Sequence, residues 1–114
     1  MRIWLAVAIV AGLVITATAA LATVQYGTTF TQVYAPKAGT AVATAACALC
    51  HTKGAAPSAT ALNPYGADLA KQKTRDAAGF KAIEGLDSDK DGFSNLAEIR
   101  AGTLPGDPTS KPVK

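Results

Sequence analysis

The sequence predicts a small all-α domain, and three observations carry that expectation. Apolar residues recur at helical spacing in short runs, Phe80, Ile83 and Leu86 in one and Leu96 and Ile99 in another. Helix boundaries fall at residues suited to them, with Asn63-Pro64 as a start and Gly102 followed by Pro105 as a stop. Only residues 23–36 have a strand-like composition, and no internal repeat is present.

Residues 1–22 read MRIWLAVAIVAGLVITATAALA, with Arg2 as a positive start, an apolar run from Ile3 to Ile15, and small residues around Ala20 and Ala22. That layout is an export signal with cleavage before Thr23; retained, the same stretch is about long enough to anchor the chain in a bilayer. Either way the remainder is expected outside the cytoplasm, periplasmic or extracellular, with no membrane span once the signal is cleaved. Residues 23–36, TVQYGTTFTQVYAP, are rich in Thr, Val, Tyr and Phe, broken at Gly27 and stopped at Pro36. They predict an extended N-terminal arm, taken as residues 23–40, ahead of a domain over 41–114.

Past the turn at Gly39 and Thr40, the alanine-rich AVATAACALC predicts a short helix. A loop, TKGAAPSAT, follows it. Asn63 can cap free amides and Pro64 has no amide proton to lose, so a helix is expected from about Pro64 to Lys73, with Tyr65 and Leu69 on one face. Another is expected from about Asp76 to Gly85, weakened by Gly79, and a third from Asn95 to Ala101. The tail from Thr103 to Lys114 has three prolines and no periodicity, which predicts a surface strap or a frayed end.

Hydrophobic residues are 49% of the chain, but many are alanine, and the aromatic share of 6% is thin for a core. A domain this small needs a staple, and two cysteines make at most one disulfide. A covalent cofactor and a metal are the staples expected. The net charge of +3 is too mild for nucleic-acid binding. Five of the eight acidic residues lie between Glu84 and Glu98, so the rest of the chain is basic and can steer anionic partners.

Cys47-Ala48-Leu49-Cys50-His51 is C-x-x-C-H, a haem attachment pattern. Two thiols three residues apart on a helical turn reach the two vinyl groups of a haem, and the adjacent His51 then ligates the iron. A redox dithiol would need a βαβ surround, and a zinc site would need ligands from further Cys or His residues that the chain lacks. Residues 87–98, DSDKDGFSNLAE, fit the twelve-residue calcium loop. Asp87, Asp89 and Asp91 take positions 1, 3 and 5, Gly92 makes the sharp turn, and Phe93 offers its carbonyl. Asn95 stands at position 9, which often acts through water, and Glu98 at position 12. Four carboxylates in one loop repel one another unless a cation, here Ca2+, joins them.

On the C-x-x-C-H motif the chain resembles small exported monohaem c-type cytochromes, and on the acidic loop it resembles the EF-hand-like calcium modules of exported bacterial proteins, dockerin-like and thrombospondin type 3-like repeats. The resemblance implies a small cytochrome c-like helical domain with one covalent haem c, an EF-hand-like helix-loop-helix holding one Ca2+, and one-electron transfer to redox partner proteins. No acid, base or nucleophile constellation is present, so an electron carrier with at most weak peroxidase-like activity is expected rather than an enzyme. The family usually completes the iron with Met or a second His, yet the only Met is Met1. The sixth position is therefore expected to be open or water-bound, with the Thr23 amine next in order and Tyr65 third. Two further readings follow: a small-ligand-binding or peroxidatic haem protein, and a subunit of an extracellular cytochrome assembly joined by self-association through residues 23–36.

Overall fold

A computed structural model describes residues 25–52 and 61–113. The export signal, Thr23 and nearly all of the loop after His51 lie outside the described residues. Phe30 and Tyr34 stand four residues apart, and this pair decides the conformation of the first described segment. Residues 25–34 are helical (α1), not the extended arm that their composition predicts. A helix puts both rings on one face. They meet Phe80, with centroids 5.5 Å from Phe30 and 6.4 Å from Tyr34, both edge-to-face, and lie 5.0 Å from each other. Strand propensity measures fit to a pleated surface. The described residues contain no sheet to offer one, and burying Phe30 favours the helix. α1 therefore belongs to the domain rather than preceding it.

The alanine-rich segment is helical in two pieces, α2 at Ala41–Thr44 and a 3-10 turn at Ala46–Leu49. The break falls at Ala46, whose φ of +49° is left-handed and costs a non-glycine residue about 1–2 kcal/mol. α3 spans Pro64–Ala70 and ends three residues earlier than expected, at the Lys71 cap. Its terminal carbonyl, Ala70 O, accepts from Arg75 Nη2 at 2.9 Å. α4 spans Ala77–Ala82, capped by Asp76 Oδ1, which accepts from Ala78 N and Gly79 N. Leu86 was expected on the apolar face of that helix and is instead 45% exposed, because the helix stops before it. α5 spans Asn95–Ala101 as expected, with Ser94 as N-cap and Gly102 in the left-handed conformation at its end.

The core gathers Phe30, Val42, Leu49, Tyr65, Leu69, Phe80, Ile83 and Ile99. Val42 N donates to Gly102 O at 3.2 Å, which ties α2 to the end of α5. The tail is a strap: Pro105 and Gly106 are buried, and Leu104 N donates to Ser110 Oγ at 3.1 Å. Among the described residues there is no strand, only an isolated antiparallel bridge between His51 and Leu62. No helix among them is long and apolar enough to cross a membrane.

Candidate functional site

The C-x-x-C-H segment is a closed turn. Cys47 O accepts from His51 N at 2.9 Å and from Cys50 N at 3.3 Å, so both thiols and the imidazole leave a single loop of backbone. The cysteines form no disulfide; Cys47 is exposed and Cys50 half-buried. Burial, and secondarily the neighbouring Cys47, push the Cys50 thiol up to about 11. Among the described residues there is no strand, so the βαβ surround that a thioredoxin-like dithiol would need is not seen there. His51 Nδ1 is buried without a hydrogen-bond partner. Two free thiols, one of them accessible, beside an imidazole with uncommitted ring nitrogen chemistry fit a covalently attached haem.

The start of α3 fastens this turn. Asn63 Oδ1 accepts from Gly66 N at 2.9 Å, the cap expected from the sequence. Its Nδ2 donates to Ala48 O at 3.1 Å and Leu49 O at 3.0 Å, and its backbone N donates to Cys50 O at 2.9 Å. Thr52 N donates to Ala61 O at 2.8 Å, so the chain beyond His51 pairs with the chain before α3. Gly66 lets α3 pass over the turn, since a Cβ there would overlap the Cys50 carbonyl. Gly66→Ala is expected to destabilise the protein by about 1–3 kcal/mol despite alanine's better helix propensity, because backbone rather than a flexible side chain must yield. Urea unfolding checks this, and an unchanged midpoint refutes the close approach.

Tyr65 is fully buried and its hydroxyl has no partner. Burial, and then the nearby Tyr34, Cys50 and Glu84, hold its phenol far above the ordinary range. Tyr34 donates to Glu84 Oε1 at 3.0 Å, and burial together with that carboxylate likewise raises its phenol. Tyr65 thus stands in the core beside the motif turn, and it stays neutral at any ordinary pH.

The acidic loop has the internal bonds that a cation-binding loop requires. Asp87 accepts from Asp91 N at 3.1 Å and Gly92 N at 2.9 Å, and Asp91 Oδ1 accepts from Phe93 N at 3.0 Å. Lys90 and Gly92 take left-handed φ values of +61° and +96°, which fold the loop back on itself. One carboxylate oxygen from each of Asp87, Asp89 and Asp91 lies within 4.8 Å of the others. Glu98, on the first turn of α5, is fully buried with both oxygens unpartnered, as are Asp89 Oδ2 and Asp91 Oδ2. Burial, then the charges of Asp89 and Asp91, push the Glu98 carboxyl up to about 9. Burial and Asp91 raise Asp89 to about 6. Uncompensated carboxylates that take up protons this readily fit a divalent cation of the calcium type.

Asn95 has a different role from the one its position predicts. Its Nδ2 donates to Ile83 O and to Ser88 Oγ, each at 2.8 Å, while its Oδ1 accepts from Ser88 N at 3.2 Å. The amide joins the two ends of the loop instead of pointing into it. Asn95 N also donates to Leu86 O at 2.7 Å and Leu96 N to Glu84 O at 3.1 Å, so the loop pairs with its own incoming strand of chain. Ser88 Oγ donates to Asp68 Oδ2 at 2.8 Å and ties the loop to α3. Sequence reasoning missed Gly66, Ser88 and Gly106, and saw only one of the bonds of Asn63. A long-range contact leaves no local signal.

The all-α class is what the fold defines. No protein-family model matches the chain, and neither the curated proteins nor the solved structures include a match to it.

Proposed function

We propose that the chain is an exported monohaem c-type cytochrome that carries single electrons, with its fold clipped by one calcium ion. The observation that carries this reading is the closed turn on which Cys47, Cys50 and His51 stand together with both thiols free. Cys47 and Cys50 would hold a haem through thioether bonds to its vinyl groups, and His51 would ligate its iron. A haem so held would supply the redox chemistry through one-electron cycling between ferrous and ferric iron. Leu49 and Tyr65 are buried beside the motif turn, while Cys47 on it is exposed. The test is export of the full chain alongside a cytochrome c maturation system, followed by haem staining of a denaturing gel. One covalent haem per chain is expected; none would overturn the reading.

A second reading, reversible binding of a small ligand or peroxide at the iron, is favoured by one observation: beyond Met1 the chain has no Met, and His51 is its only His. We predict a predominantly high-spin ferric haem that binds carbon monoxide once reduced. A low-spin monomer indifferent to carbon monoxide would instead point to the Thr23 amine, which an N-terminal extension would block. Tyr65, already in the core, ranks below both. The assembly reading loses the feature that suggested it, because α1 turns Phe30 and Tyr34 inward where an exposed strand-prone arm was expected.

A further inference from the structure

We propose that Asn63 is the positioning residue of the haem turn, acting through its side-chain amide on the two residues between the cysteines; this rests on the haem reading above. The 3-10 turn Ala46–Leu49 ends with carbonyls that its own backbone leaves unbonded, and α3 begins with amides in the same condition. The single amide of Asn63 serves both ends. Oδ1 takes the Gly66 N–H while Nδ2 gives its protons to Ala48 O and Leu49 O. The assignment of oxygen and nitrogen is forced, since the flipped amide would set N–H against N–H and oxygen against two carbonyls.

The consequence for attachment is geometric. Ala48 and Leu49 set the spacing between the two thiols and the angle at which His51 leaves the turn. Holding both carbonyls fixes that spacing before any group is bound, which is the contribution a preorganised site makes. The Asn63 amide is itself held in place, because Gly106 of the buried strap packs so close that a Cβ there would come within 2.5 Å of Asn63 Cγ and Oδ1 and 2.6 Å of Nδ2.

Asn63→Asp separates the two roles. Aspartate is as good an N-cap as asparagine, so α3 keeps its start, but it offers no donor to Ala48 O and Leu49 O and sets a carboxylate against them. The full chain, co-expressed with the maturation system, is expected to keep wild-type helicity by circular dichroism while covalent haem per folded chain falls by about tenfold, the effect of losing two hydrogen bonds and adding a repulsion. The haem that does attach is expected to show a shifted reduction potential and altered visible spectrum, readouts that a purely structural cap would not move. Gly106→Ala, which pushes on the amide without changing its chemistry, is expected to shift the potential in the same direction and decides the matter if Asn63→Asp fails to fold. Full loading with an unchanged potential in either folded variant overturns the positioning role alone; a wild-type chain without covalent haem overturns the haem reading and this proposal with it.

Discussion

Replacing Cys47 or Cys50 by alanine is expected to abolish stable haem loading and to leave the chain largely unfolded. Among the described residues the apolar core holds eight buried side chains, of which Tyr65 carries an unpartnered hydroxyl. A small domain with so few large apolar side chains inside has little stability to spare. A covalently held macrocycle would add apolar area that folding buries, so losing it would shift the equilibrium toward the unfolded chain. The measurement is far-UV circular dichroism with haem staining on each variant. Retention of a folded, haem-free protein would sink this account of the core.

Calcium removal is the second large effect. In an exported protein, ambient calcium at about a hundred times the dissociation constant would stabilise the fold by roughly 2.7 kcal/mol, or about 10–20 °C in melting temperature for a domain this small. Chelation, or Asp87→Ala, should remove that increment. The pH dependence has a definite sign. Without calcium, the folded-state carboxyls of Glu98 and Asp89, raised to about 9 and about 6, hold protons that the unfolded chain has already released. The calcium-free fold is therefore most stable near the ordinary carboxylate range, and loses stability as pH rises from about 4.5 toward about 9. Calcium competes with those protons, so its stabilising effect should grow across the same window. Glu98→Gln should erase the calcium response while raising the stability of the calcium-free protein at high pH. Melting curves indifferent to chelator across this range would remove the calcium reading.

Parts of the fold were legible because the responsible atoms are neighbours in sequence. The Asn63 cap, Pro64 at the helix start, and α5 with its Ser94 and Gly102 ends depend on bonds spanning a few residues. The same locality makes the C-x-x-C-H turn and the acidic loop readable as motifs. The readings that failed were those settled across the fold. α1 looked strand-prone until Phe80, fifty residues away from Phe30, supplied a surface for its aromatic pair. Leu86 kept the helical period of Phe80 and Ile83, yet the backbone had already left the helix to pair with Asn95 and was free to expose it. Asn95 stood at a ligand position by count, and Ser88 and Ile83 claimed its amide instead.

The sequence by itself determined the all-α class, the helix boundaries set by local caps, and the two motifs from which the proposed haem and calcium sites are read, because those properties follow from residue type and spacing. Only the tertiary structure decided how the candidate sites are built. It set Asn63 between the motif turn and α3, brought Gly66 against Cys50, hung the acidic loop on Asp68 through Ser88, and buried Glu98 with no partner for its charge. Those outcomes depend on close packing and on the desolvation of polar atoms by segments distant in the chain, and neither is written in any short stretch of it.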